Sequence, residues 1–181
     1  MMDIEEKTPK HLTNDPGEEL EPTWSRDGQW IYFGSKRTGE WQVWKMPSKG
    51  GDAVQVTKNG GFYALESLDR KYLYYAKSVD PARGLWRVSI DGGEEKEMAP
   101  SLFLWCNFAV TAQGIYFTAP RSIEFLSFHS GKVMTFFANE GLSFAYEGNG
   151  VGLDISPDGR YLLYTQEKPL GSDLMLVENF R

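Results

Sequence analysis

The residues that first suggest chemistry are three aspartates, each set before a turn-forming neighbour. They stand in Ser25-Arg26-Asp27-Gly28, Ser67-Leu68-Asp69-Arg70 and Ser156-Pro157-Asp158-Gly159. Repeated acids of this kind could serve acid–base catalysis or hold calcium. A calcium loop needs several oxygen ligands at close alternating spacing, and each copy offers a lone Asp. The reading that accounts for all three is structural. A short carboxylate accepts backbone N–H bonds and pre-forms a four-residue link between strands, with Gly28 and Gly159 supplying the positive φ of a turn.

Other chemistries lack their parts. Nucleophilic catalysis on a Gly-x-Ser-x-Gly elbow finds no match, since Gly171-Ser172-Asp173 lacks the flanking pattern. The two histidines, His11 and His129, and the single Cys106 are too few and too scattered for a zinc site. Gly50-Gly51 and Gly92-Gly93 are not phosphate cradles, which require a Gly-x-x-x-x-Gly-Lys-[Ser/Thr] run between a strand and a helix; they read as turns. The expectation is therefore no catalytic residue, no metal and no cofactor.

Composition agrees with a folded domain. The chain has 181 residues, 41% hydrophobic and 14% aromatic, enough to build a core. Of the formal charge of −6, the first 21 residues carry −5, from seven acids against two lysines. The near-neutral remainder has no basic stripe and argues against nucleic acid as a partner. One cysteine allows no intrachain disulfide, so the fold does not depend on an oxidising compartment. The start, MMDIEEKTPKH, lacks a signal peptide's pattern, and nowhere are there ~18 consecutive apolar residues. The expectation is a soluble chain without membrane contact, cytoplasmic, or extracytoplasmic if a longer parent carries an export signal or anchor.

The elements that must position these turns come from Pro22–Thr57, which divides at its glycines into three runs rich in aromatic and β-branched residues: Gln29–Phe33, Glu40–Met46 and Ala53–Thr57. Asp27-Gly28, Thr38-Gly39 and Gly50-Gly51 mark the turns of an antiparallel meander. The segment then repeats. Tyr32-Phe33 recurs as Tyr74-Tyr75 and Tyr116-Phe117, and Trp44 as Trp86, always 42 residues on. The second unit predicts strands over Leu73–Lys77, Leu85–Ile90 and Glu94–Met98. A third, with Thr111-Ala112-Gln113-Gly114 in place of the acidic turn, predicts Phe108–Val110, Ile115–Thr118, Ile123–Phe128 and Lys132–Ala138. A fourth predicts Gly152–Ser156, Tyr161–Gln166 and Leu174–Glu178, without an outermost strand. Helical periodicity is absent.

Four-stranded units of about 42 residues have the period of β-propeller blades, so the fold class expected is all-β, with about four blades over 21–61, 62–101, 102–141 and 142–181. A blade cannot cover both of its faces alone and is stabilised by its neighbours. The motifs WSRDGQWIYF with VWKMPSKGG, SLDRKYLYY with LWRVSIDGG, and SPDGRYLLY with DLMLV resemble the TolB-like branch of the WD-repeat-like propellers over nearly the whole chain after Glu21. That family's propellers also occur as gating domains of prolyl-oligopeptidase-type serine peptidases and in C-terminal regions of bacterial winged-helix regulators and serine/threonine kinases. His11-Leu12-Thr13-Asn14 resembles the end of a preceding blade. Residues 1–20 then either complete the last blade through Lys10–Thr13 or continue a larger propeller, the latter being favoured; an open arc would invite self-association.

The resemblance implies a non-catalytic module for protein or peptide binding in a bacterial sensor, regulator or scaffold; the alternative is the substrate-gating propeller of a serine peptidase. Candidate binding residues lie in the aromatic crossovers between blades: Phe62, Tyr63 and Glu66; Phe103 and Trp105; Phe144, Tyr146 and Glu147. Aromatic residues beside charges suit binding hot spots, although the same rings, Trp105 above all, could instead pack between blades. Trp44 and Trp86, at one repeat position, are expected to be core contacts between blades.

Overall fold

The structure, a computed structural model, describes residues 9–78, 83–144, 152–168 and 171–178. Among them there is no α-helix, and fifteen strands form four antiparallel sheets. Blade one is β1 (Glu19–Trp24), β2 (Trp30–Ser35), β3 (Gln42–Pro47) and β4 (Val54–Gln55). Blade two is β5 (Ala64–Glu66), β6 (Tyr72–Ala76), β7 (Leu85–Ser89) and β8 (Lys96–Ala99). Blade three is β9 (Phe108–Val110), β10 (Gly114–Ala119), β11 (Ser122–Ser127) and β12 (Val133–Ala138). Blade four is β13 (Leu153–Ile155), β14 (Tyr161–Lys168) and β15 (Gly171–Glu178). In every sheet the strands pair in chain order. This is a four-blade β-propeller arrangement.

Most strand boundaries lie within a few residues of the sequence reading, and two of the differences have a plain physical reason. The first strand begins at Glu19, because Leu20 pairs with Gly34 and Glu19 with Ser35 ahead of a bulge that holds Glu21 at φ 54°. The outer strand of blade one stops at Gln55: the N–H groups of Val56 and Thr57 both donate to the Val43 carbonyl, at 2.8 and 3.3 Å. Thr57 then turns inward, where its hydroxyl accepts from Val43 N at 2.8 Å and donates to Gln42 Oε1 at 2.9 Å.

The repeat's register is kept in the pairing. Tyr32 faces Lys45 and Phe33 faces Trp44 across β2 and β3, as Tyr74 faces Arg87 and Tyr75 faces Trp86 across β6 and β7. Side chains alternate between the two faces of each sheet, so each blade offers one apolar set to the blade before it and another to the blade after. Tyr32, Val43 and Val56 meet Ala64, Leu73, Tyr75 and Val88 between blades one and two. Phe62, Tyr74, Leu85 and Leu102 meet Phe108, Ile115 and Phe117 between blades two and three. Ile123, Leu142 and Phe144 meet Leu153, Leu162 and Tyr164 between blades three and four.

The two ends of the stack are unlike. On the outward side of blade one, Leu12 packs against Ile31, Phe33 and Met46, and Lys10 Nζ reaches the Lys49 carbonyl at 3.4 Å. On blade four the register puts Leu163 and Leu176 opposite one another, with Leu174 two residues away on the same face. Leu174 and Leu176 are 70% and 53% exposed.

Trp44 and Trp86 take equivalent places, but both are half-buried. Trp44 packs on the outward cluster of blade one under the Arg37 guanidinium at 4.5 Å, and Trp86 packs on the cluster between blades one and two, with Lys77 Nζ 4.2 Å from its ring. Only the second is a contact between two described blades.

Candidate functional site

The innermost hairpins repeat one hydrogen-bonded turn. The Ser25 hydroxyl donates to Asp27 Oδ1 at 2.8 Å, Gln29 N donates to the same oxygen at 3.0 Å, and Trp30 N donates back to Ser25 Oγ at 2.8 Å. Ser67 with Asp69, and Ser156 with Asp158, repeat these bonds. Gly28, Arg70 and Gly159 stand at φ 69°, 59° and 69°, a conformation that costs an arginine more than a glycine. In blade three Thr111 Oγ1 substitutes, accepting from the Gln113 and Gly114 N–H groups at 3.2 and 3.1 Å. Asp158 is held down to about 2, first by the Ser156 hydroxyl and then by the Arg160 backbone and side chain. Asp27 and Asp69 are shifted the same way by their own turns. These carboxylates are committed to backbone geometry.

The crossover aromatics are placed inside the fold. Phe62, Tyr63 and Phe144 are buried. Phe62 is wedged edge-on between Trp41 and Trp105, ring centroids at 4.6 and 4.7 Å, and a Cβ on Gly34 would lie 2.8 Å from its ring. Tyr63 packs edge-on against Trp105 and Phe108, at 6.2 and 5.4 Å. Burial pushes the Tyr63 hydroxyl well above its ordinary pKa, with the charges of Cys106, Glu21 and Asp154 adding to the shift. Trp105 and Phe103 are half-buried, against the blade two–three and blade three–four clusters respectively. Tyr146 and Glu147 lie outside the described residues. The expected accessible rim is thus corrected for Phe62, Tyr63 and Phe144: their rings are drawn into the apolar clusters between blades, where burial removes their surface from water.

Glu66 is likewise buried and turns toward blade one. It accepts from Arg26 N, and at 3.4 Å from the Tyr32 hydroxyl, while its carbonyl accepts from Arg26 Nε at 3.3 Å. Further bonds of this kind join blade two to the crossover from blade one, and blade three to blade four. Glu95 accepts from Lys58 N at 2.6 Å and Asn59 N at 3.2 Å and pairs with Lys77 at 2.5 Å. Burial alone would raise its carboxyl, but those donors outweigh it and hold the pKa low. Asn107 Oδ1 accepts from Gly152 N at 2.7 Å, tying blade three to blade four. Cys106 is buried, its thiol pushed up to about 11 by burial first and the Glu21 charge second. It is a poor nucleophile at neutral pH.

Of the cavities among the described residues, two lie between blades and open at opposite ends of them. One of about 310 Å³, at the crossover end between blades one and two, is lined by Glu40, Trp41, Lys58, Asn59 and Lys77. Another of about 350 Å³, at the Asp-turn end between blades two and three, is lined by Leu68, Tyr72, Tyr74, Arg87, Met98 and Phe128, among others. Tyr74 stacks on Phe128 with centroids 5.3 Å apart. No group of three or more His, Cys, Asp or Glu among the described residues could hold a metal ion. The sequence reading named Ser67, Leu68, Asp69, Tyr74, Thr111 and Ala112 of this lining only as turn or repeat positions, not as binding residues; Arg87 was within its reach, as the residue 42 positions after Lys45.

Fold and site together define a β-propeller whose blades are joined by buried hydrogen bonds and whose gaps are open at the ends. Residues 1–103 match the TolB β-propeller domain, and the chain belongs to that family. A 56-residue stretch, 31% of this chain and 19% of the relative, is 39% identical to the uncharacterised protein Atu1656 of Agrobacterium fabrum. The crystal structure of TolB from Acinetobacter baumannii superimposes with a TM-score of 0.73 at 15% identity, over 98% of this chain and 45% of that one. A TolB-like structure from Agrobacterium tumefaciens gives 0.71 at 18% identity, over 98% and 64%. An oligogalacturonate lyase from Vibrio parahaemolyticus shares the fold at 0.61 and 14% identity, over 87% and 49%. The chain therefore spans less than two thirds of the length of each of these proteins.

Proposed function

We propose that this chain is a non-catalytic recognition module that captures a protein or peptide, as part of a bacterial sensor, regulatory or scaffold protein. The observation that carries this reading is the pairing of cavities with an absence of reactive partners among the described residues. The gaps between blades are lined by aromatic rings and cations, whereas Glu66 and Glu95 are consumed in bonds between blades and the Cys106 thiol is held protonated. The one hydroxyl–carboxylate pair among the described residues lining either cavity, Ser67 with Asp69, is committed to its turn through the Lys71 and Tyr72 N–H groups. Cavities of this size, at the lower end of the ~300–1,000 Å³ range of ligand pockets, suit single side chains or chain ends of a bound peptide.

The test is a display selection of random heptapeptides against the chain, followed by calorimetric titration of the selected sequences as synthetic peptides. The module reading predicts at least one peptide with a saturable isotherm, recovered intact afterwards. A selection yielding no saturating peptide, or peptides returned cleaved, overturns it.

A further inference from the structure

The repeat supplies its own control for the cavity between blades two and three. In blade one, the cation of β3 is Lys45, which lies over the Trp30 ring at 4.8 Å. Its ammonium is satisfied by the next blade: it donates to the Ile90 carbonyl at 2.7 Å and to Asp91 Oδ1 at 3.1 Å. In blade two the equivalent residues, 42 positions on, are Arg87 over the Tyr72 ring at 4.5 Å. The guanidinium lies close enough to the Tyr74 hydroxyl for its charge to oppose the rise in pKa that burial imposes there.

The next blade does not supply the acid. Ile90 N donates to the Lys71 carbonyl at 3.1 Å, and Phe128 N makes the same bond to the Gln113 carbonyl at 2.9 Å. Phe128 therefore stands where Ile90 does, and the residue after it, in the place of Asp91, is His129. His129 is exposed. Among the described residues Arg87 forms no ion pair. The one carboxylate on the cavity's lining, Asp69, is engaged by the Ser67 hydroxyl at 2.7 Å, Lys71 N at 3.2 Å and Lys71 Nζ at 3.7 Å. Where blade one's cation meets an acid, blade two's faces a cavity of about 350 Å³ walled by the Tyr74–Phe128 stack, Leu68 and Met98.

We propose that this cavity binds an aromatic carboxylate, its acid group taking on Arg87 the place that Asp91 takes on Lys45 and its ring lying against Tyr74, Phe128 and Met98. The planar guanidinium offers parallel N–H donors that match a carboxylate, and the apolar wall takes the ring. This deepens the peptide-binding reading and rests on it, since the natural source of such a group is a C-terminal aromatic residue or an acidic side chain beside one.

The test titrates the whole chain with N-acetyl-phenylalanine, its amide, a Ser-Gly-Ser-Phe peptide with a free C-terminus, and acetyl-Ser-Phe-Glu-Ser-amide. Saturable binding is expected for N-acetyl-phenylalanine and at least one peptide, and that peptide tells whether a chain end or a side chain is the source. The amide should bind roughly tenfold to a hundredfold more weakly, the worth of a charge-assisted hydrogen bond. R87Q should lose the same factor. H129D, which offers Arg87 an internal acid in Asp91's place, should also weaken binding, and it keeps the test decisive should R87Q fail to fold. No saturation by any of the acids, equal binding of the amide, or undiminished binding by both variants overturns the proposal. A display-selected peptide that still saturates R87Q, in the absence of carboxylate binding, overturns the Arg87 site while leaving the module reading intact.

Discussion

Phe62→Ala is the perturbation that separates a packed wedge from a recognition rim. The ring is 3% exposed, touches Trp41 and Trp105 edge-on, and rests on the face of Gly34. Truncating a buried phenylalanine costs about 3–5 kcal/mol, the spread reflecting how far the cavity collapses. Here collapse is limited, because the neighbours are rigid indole rings and a glycine with no side chain to follow. In a domain of this length 1 kcal/mol moves Tm by about 2–4 °C, so thermal unfolding followed by circular dichroism should shift downward by roughly 6–20 °C. Combining the substitution with Trp105→Ala isolates the ring pair, for which a coupling of ~0.5–1.5 kcal/mol is expected beyond area burial. A Phe62→Ala variant that melts within 2 °C of the parent would refute the packing assignment and return the residue to the surface.

Other substitutions probe different joints. Asn107→Ala removes the acceptor of the Gly152 N–H; leaving that donor unpaired between blades three and four should cost about 1–3 kcal/mol in urea unfolding, and an unchanged midpoint would show the bond is replaced by water. Because Asp27, Asp69 and Asp158 are held below their ordinary pKa, their stabilisation is present above the unfolded value near ~3.9 and is lost as pH falls through the folded values, which for Asp158 is about 2. The urea midpoint should therefore drop between about pH 4 and pH 2, and Asp158→Asn should remove part of that slope; an identical slope in the variant would contradict the turn's role. Cys106, buried and with its thiol pushed up to about 11, should react with iodoacetamide at pH 8 far more slowly than the same thiol in urea, and equal rates would mean that the blade two–three core is open.

Much of the fold was legible because a propeller writes its geometry as a period. The 42-residue spacing of Tyr32, Tyr74 and Tyr116 returned as equivalent positions on β2, β6 and β10. What the linear pattern did not carry was direction. Phe62 and Phe144 sit in crossovers without strand alternation, so nothing in the chain told whether their rings point to solvent or into the wedge. The start of β1 at Glu19 was hidden in a run of acids, since only the partner strand reveals that Glu19 and Leu20 are paired. Arg87 was hidden differently. Its equivalence to Lys45 is visible in the repeat, but the missing acid is defined only once the bonds of Ile90 and Phe128 fix which residue follows which.

A crystal structure of the chain grown with N-acetyl-phenylalanine tests most directly the claim that this propeller recognises ligands in the gaps between its blades. The account predicts a carboxylate on the Arg87 guanidinium, with the ring against Tyr74 and Phe128. A saturated crystal with that gap empty, or with the acid bound elsewhere and Arg87 turned to a protein carboxylate, would contradict it.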